Sequence, residues 1–278
     1  MLTSAQLAVW GDPIEHSRSP RLHRAAYRTL GLNWDYGRRR VNEREFTAAL
    51  ASLDEHWRGL SLTMPLKTEA FNCAVSHDRH SALAGVSNTL LLTSDGPHAF
   101  NTDVGGLVRA LREDGVAAAP TARIIGAGAT ATSALIALSE LDARDVQIVA
   151  RRPESVLPLR ALGDKLGMQV EGVGFNAERF NAATVTIATL PGETVLSEAG
   201  SDALAESGGH LCDVVYGNWP TPLSAAWVRA GHTASSGLGM LLHQAVLQVR
   251  VFTSDEIDVP LENESTVVAE MRATLMGD

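Results

Sequence analysis

Ile124-Ile125-Gly126-Ala127-Gly128-Ala129-Thr130-Ala131 is the stretch that decides how this chain folds. Two β-branched residues end a strand, a glycine-rich turn follows, and a helix is expected over 132–141. In a G-x-G-x-x-A turn the first glycine permits the tight bend and the second lets the backbone approach a pyrophosphate. Ala131 keeps the helix close to the strand. The helix N-terminus then faces the anion. A glycine pattern alone is weak, but here a second strand, 146–150, ends about 20 residues further on. Its end reads Val149-Ala150-Arg151-Arg152-Pro153. Sites for NAD place Asp or Glu there for the ribose 2′-hydroxyl. This chain offers no carboxylate and two guanidiniums, and planar arginine donors suit a 2′-phosphate. The expected cofactor is therefore NADP, on Gly126, Ala127, Gly128, Ala129, Thr130, Ala150, Arg151 and Arg152. The plainer alternatives are a structural glycine turn and a solvated arginine pair.

Outward from this stretch the pattern stays α/β. Downstream, a helix over 156–166, a strand over 185–188, a helix over 201–206 and strands over 211–215 and 233–235 are expected. From 238 the pattern becomes helical, and a last helix spans 264–275. Upstream, 115–120 reads as a linker after a helix over 104–113. Before it come strands over 6–10, 34–41 and 59–63, and helices over 21–30 and 43–53. Pro65 is expected to open a further helix. Strands over 89–93 and 98–100 flank Ser94-Asp95-Gly96-Pro97, which predicts a hairpin. Alternating strands and helices favour layered α/β domains.

Composition narrows the function. A net charge of −9 over 278 residues argues against a nucleic-acid or anionic-membrane surface. Two cysteines in separate segments make neither a disulfide framework nor a zinc pattern, and the scattered histidines suggest no metal. The N-terminal stretch lacks a basic segment before a long apolar one, and no apolar run approaches ~18 residues. A cytoplasmic protein is expected, with monomer and homodimer both open.

Of 23 basic side chains only Lys67 and Lys165 are lysines. Lysine can lose its proton and serve as acid or base, whereas arginine in practice cannot. Lys67 closes Ser61-Leu62-Thr63-Met64-Pro65-Leu66-Lys67 and is a candidate for proton chemistry, against the alternative of a surface lysine. Asn101-Thr102-Asp103 offers a carboxylate to orient it. Asp103 could equally cap the helix expected at 104. Ser17 and Ser19 sit two apart in a proline-flanked segment, and in an extended conformation their hydroxyls would share one side. Ordinary turn serines are the other reading. Gln244 lies on an apolar helical stretch and needs a partner or a ligand.

Six segments, in order, carry a resemblance. They are Gly11-Asp12-Pro13-Ile14-Glu15-His16-Ser17-Arg18-Ser19-Pro20, Ser61 to Lys67, and Gly85-Val86-Ser87-Asn88-Thr89. Asn101-Thr102-Asp103 follows, then Asp213-Val214-Val215-Tyr216 with Thr221-Pro222-Leu223, and last Gly237-Leu238-Gly239-Met240-Leu241-Leu242-His243-Gln244-Ala245. Essentially end to end, the chain resembles the shikimate dehydrogenase family.

The resemblance implies an α/β substrate domain, residues 1–103 with C-terminal helices 238–278 returning to it. A Rossmann NADP domain would take 104–237, and the active site would lie where the two meet. It implies NADPH-dependent reduction of 3-dehydroshikimate to shikimate, with Lys67 as proton donor and Asp103 as its partner. Ser17 and Ser19, supported by Tyr216, would hold the substrate carboxylate, and Thr63, Asn88 and Gln244 the ring hydroxyls. Ala188, Thr189, Val214, Gly237 and Met240 would line the cofactor site.

Some positions depart from the family pattern: Ser61 where Asn is common, Ala129 for a third glycine, and Ala150-Arg151-Arg152 for Asn-Arg-Thr. His23-Arg24 stands for His-Asn, and Phe252-Thr253-Ser254 for Trp-Thr-Gly. They bear on cofactor preference, not on the catalytic groups. The runner-up is a quinate/shikimate dehydrogenase using NAD, which Ser19 and Arg151-Arg152 disfavour. A nucleotide sensor would have lost the Lys/Asp pair, and an amino-acid or folate dehydrogenase would lack the serine motif.

Overall fold

The computed structural model describes residues 4–177, 179–194, 196–217 and 219–277. The chain folds into two compact units. Residues up to Gly106 together with those from Leu241 onward form one, and Leu107–Met240 the other.

The first unit begins with β1 (Ala5–Gly11), α1 (Ser19–Thr29), β2 (Trp34–Arg40), α2 (Glu43–Ala51) and β3 (Trp57–Leu62). Then come α3 (Lys67–Cys73), β4 (Ser76–His77), α4 (Arg79–Ala84), β5 (Thr89–Thr93), β6 (Gly96–Phe100) and α5 (Thr102–Glu113), whose residues from Leu107 onward belong to the second unit. Its sheet runs β2-β1-β3-β5-β6-β4. β1 pairs parallel with β2 and β3, while β5 pairs antiparallel with β3 and β6. Trp10, Phe46, Leu60, Leu66 and Leu90 share one buried cluster, in which the Trp10 ring meets Phe46 and Trp57 edge-on.

In the second unit, β7 (Thr121–Ile125), α6 (Ala129–Ser139), β8 (Asp145–Val149), α7 (Leu157–Lys165) and β9 (Gln169–Val173) make one half. β10 (Val185–Ala188), α8 (Glu198–Glu206), β11 (His210–Asp213), α9 (Pro222–Arg229) and β12 (Ala234–Ser236) make the other. The sheet order β12-β11-β10-β7-β8-β9 is parallel throughout. Counting only this unit's strands, the order is 3-2-1-4-5-6, the doubly wound dinucleotide arrangement, and it reverses between β7 and β10. α10 (Leu238–Ser254) and α11 (Glu264–Met276) follow, and α11 packs along α1 in the first unit.

Four elements escape the sequence patterns: β4, α4, β9 and α9. Five helix starts also move by two or three residues: α5, α6 and α8 open at Thr102, Ala129 and Glu198, ahead of 104, 132 and 201, and α1 and α3 shift as well. α1 opens at Ser19, with Pro20 in its first turn, where the missing N–H costs nothing. α3 opens at Lys67, not Pro65, after a turn closed by Leu66 N–H donating to the Thr63 carbonyl at 2.8 Å. Lys67 is therefore a first-turn residue of its helix.

Candidate active site

Lys67, Asp103, Asn88 and Gln244 come together in the first unit. Lys67 Nζ donates to Asp103 Oδ2 at 2.6 Å, with side chains 14% and 7% exposed. Asn88 Nδ2 donates to the other oxygen, Asp103 Oδ1, at 2.8 Å. It also lies 2.9 Å from Thr102 Oγ1 and 3.4 Å from Gln244 Oε1. The Asn88 carboxamide has one possible orientation, because the Thr102 backbone N–H, which can only donate, lies 2.9 Å from its Oδ1. Gln244 Nε2 donates to the Leu241 carbonyl at 2.8 Å, which supplies the partner its apolar surroundings require.

Local structure explains why Asp103 is free to do this. α5 starts at Thr102, two residues earlier than a cap at Asp103 would need. The Asp103 N–H donates to Asn101 Oδ1 at 3.1 Å, so Asn101 does the capping and the Asp103 carboxylate is left to Lys67. Asp78 in turn caps α4 by accepting from Ser81 N–H and also accepts from Asn101 N–H at 3.0 Å. Burial pushes the Asp78 carboxyl up, with the Ser81 and Asn101 amides opposing. On the other side, Ser87 N–H donates to the Lys67 carbonyl at 2.9 Å. Asn101, Thr102 and Asp78 carry no signal of these roles in sequence beyond the Asn-Thr-Asp run itself.

The serine pair is not extended as expected. Arg18 is α-helical (φ −89°, ψ −7°) and Ser19 is the first residue of α1. Ser17 Oγ accepts from the Ser19 N–H at 3.3 Å, so the helix draws the two serines together where a strand would have spaced them. Thr63 N–H donates to the Trp10 carbonyl at 3.0 Å, and a side chain on Gly11 would strike Thr63 Cγ2 at 2.4 Å. Gly11 thus lets the serine loop lie against the Thr63–Lys67 turn.

The second unit holds the other expected residues. Gly126 has φ +113°, and a Cβ on it would lie 2.5 Å from Thr189 Oγ1. That hydroxyl and the Thr189 N–H both donate to the Ile125 carbonyl, at 3.0 and 2.8 Å. Gly128 precedes α6 without a side-chain cap, and a Cβ there would meet nothing within 4 Å. The first-turn N–H groups of α6 are therefore open to an anion. Gly126 N–H donates to Val149 O at 2.9 Å, which sets Ala150, Arg151 and Arg152 just beyond the strand end beside this turn. Both arginines are exposed, and neither forms an ion pair among the described residues. Gly237 approaches Val214 so closely that a Cβ would sit 2.1 Å from its carbonyl oxygen. Tyr216, half-buried, and Met240, buried, belong to this unit as well. Asp213 is buried and accepts from Thr221 Oγ1 at 2.8 Å and Val215 N–H at 3.2 Å. Burial pushes its carboxyl up, and these two bonds oppose that.

Residues 9–90 match the family model of the shikimate dehydrogenase substrate binding domain. The NADP(+) shikimate dehydrogenase of Acidiphilium cryptum is 36% identical, over 87% of this chain and 88% of that one. The chain belongs to the shikimate dehydrogenase family. Within that family, the crystal structure of the Mycobacterium tuberculosis shikimate dehydrogenase superposes with a TM-score of 0.87 at 36% identity, covering 99% of this chain and 100% of that chain. The Thermus thermophilus shikimate 5-dehydrogenase, solved in complex with NADP(H) and shikimate, superposes with a TM-score of 0.79 at 26% identity over 97% and 99%. Family membership agrees with the parallel second unit and the mixed first one. Among the described residues no helix is long and apolar enough to cross a membrane.

Proposed function

We propose that this protein catalyses the reversible, NADP-dependent interconversion of 3-dehydroshikimate and shikimate, with residues 1–103 and 238–278 as catalytic domain and 104–237 as cofactor domain. The observation that carries the reading is the Lys67–Asp103 pair at 2.6 Å in a chain of this family. The turn residues fit a dinucleotide: Gly126 makes the tight turn at positive φ against Thr189, Gly128 leaves room for a pyrophosphate against the amides of Ala129, Thr130 and Ala131, and Arg151 and Arg152 suit a 2′-phosphate. When bound, NADPH supplies hydride to the ring carbonyl carbon.

Lys67 then provides the proton. As hydride arrives, charge develops on the carbonyl oxygen, and the ammonium donates to it. Asp103 holds the Lys67 nitrogen through the transfer and restrains its orientation. In the oxidative direction Lys67 accepts the proton. Ser17 and Ser19 bind the carboxylate with support from Tyr216, while Thr63, Asn88 and Gln244 take the ring hydroxyls. Ala188, Thr189, Val214, Gly237 and Met240 line the nicotinamide side. The same reading places the enzyme in the cytoplasm.

A four-way assay tests it: shikimate or quinate, each with NADP or NAD. Turnover of shikimate with NADP should exceed the other three combinations. Equal or better turnover of quinate with NAD overturns the assignment.

A further inference from the structure

A second buried amide lies one helical turn beyond Gln244. Gln248 is 2% exposed and all its hydrogen-bonding capacity is used. Its Nε2 lies 3.1 Å from the Asn88 carbonyl and 3.0 Å from Thr89 Oγ1. A carbonyl can only accept, so the nitrogen must be on that side. The Oε1 therefore faces Ser61 Oγ at 2.8 Å and His23 Nε2 at 3.2 Å. Ser61 then donates to Gln248 and accepts from Tyr36 Oη at 2.6 Å. His23 must carry its proton on Nε2, which leaves Nδ1 to accept from Tyr27 Oη at 3.1 Å.

The direction continues toward the reacting groups. Thr89 Oγ1, receiving from Gln248, donates to Asn88 Oδ1 at 2.9 Å. Asn88 Nδ2 donates to Asp103 Oδ1, whose other oxygen holds Lys67. From Tyr27 through His23, Gln248, Thr89 and Asn88 to Asp103, every bond points the same way. Such directed networks strengthen each member and rigidify the site they end on. Ser61, the departure from the family's common Asn, is the position where Gln248 joins β3 to α10.

We propose that Gln248 is a positioning residue for the Lys67–Asp103 pair, fixing the Asn88 carboxamide through Thr89 and the Asn88 carbonyl while holding His23 as its Nε2–H tautomer. The proposal rests on the catalytic reading of Lys67 and Asp103. Burial supports it, since desolvation lowers His23 to about 3 and keeps the ring neutral at pH 7.

Two measurements test it. Nitrogen-15 NMR of the imidazole, assigned against His23→Asn, should show neutral His23 protonated on Nε2, and this preference should weaken in Gln248→Met. An Nδ1–H tautomer in the native protein overturns the proposal, because Gln248 would then face the other way. In kinetics, Gln248→Met and Thr89→Val should each lower kcat/KM for shikimate about tenfold or more with unchanged Kd for NADP. Thr89→Ser should restore activity. The double variant should be little worse than either single one, since both cut the same chain. Additive losses would mean the two residues act separately and would overturn the proposal. Should Gln248→Met not fold, the Thr89→Val and Thr89→Ser pair carries the test. Absence of shikimate turnover in the native protein would refute the catalytic reading, while the tautomer measurement would still judge the network.

Discussion

The two units prepare for their tasks by opposite means. The second offers main chain: a glycine at φ +113°, an uncapped helix start and a sheet whose strand order reverses beside them. The first offers side chains, a cluster of Lys67, Asp103, Asn88 and Gln244 oriented by hydrogen bonds that reach buried His23. Main-chain sites depend on what is missing, a Cβ or a cap. Side-chain sites depend on what is present and on which way each amide points. The first kind is sensitive to enlargement and the second to deletion.

The largest effect expected comes from deletion in the first unit. Lys67→Ala should lower kcat by at least ~10²-fold with modest loss of shikimate affinity. A large affinity loss at unchanged kcat would make Lys67 a binding residue only and erase the contrast. Enlargement in the second unit comes next. Gly126→Val places a branched side chain at positive φ against Thr189 and should raise Kd for NADP about tenfold or more, by calorimetry, with shikimate binding unchanged.

His23 gives a pH prediction with a definite sign. Its folded value, about 3, lies below the ordinary 6.5, so between these values the unfolded chain holds a proton that the native chain does not. Stability is fully present above ~6.5 and is lost as pH falls, by about 1.4 kcal/mol per unit across that window. Urea midpoints of native protein and His23→Gln between pH 7 and pH 4 should converge as pH drops. Parallel lines would mean His23 is not the group responsible. The smallest effect is expected at the exposed arginines: Arg151→Ala and Arg152→Ala should each raise KM for NADP about 3- to 10-fold and leave KM for NAD unchanged. No change in either single or the double variant would refute the 2′-phosphate reading.

What can be read from sequence follows the same division. Gly126 and Gly128, the strand before them and the missing acid after β8 are local signals, and local signals survive in one dimension. β9 escapes because it is a five-residue edge strand in which Gly172 cuts short the alternation of exposed Gln169, buried Val170 and exposed Glu171. β4 is two residues long and α4 six, too short to show a period. α9 is announced by Thr221-Pro222, a cap and a first-turn proline, but at eight residues it is too short to show a clear period. In the site, Lys67 and Asp103 stand out by type. The roles of Asn101, Thr102 and Gln248 do not, because each is set by a partner distant in sequence or by the exact start of a helix. Gln248 does leave one trace, a polar residue four positions after Gln244 on an apolar helix.

The glycines of α5 matter beyond this molecule. A Cβ on Gly106 would sit 2.7 Å from Gln244 Cβ and 2.8 Å from its amide nitrogen, and one on Gly105 2.7 Å from Leu247 Cδ1. Gly106, a residue with no functional group, thus sets the spacing between the helix bearing Asp103 and the helix bearing Gln244, while Gly105 meets only the movable tip of Leu247. A mutational screen would score Gly106 as intolerant, yet no chemical probe would ever label it. In a lineage drifting toward a bulkier substrate, change at Gly106 would be barred, so new specificity would have to enter elsewhere.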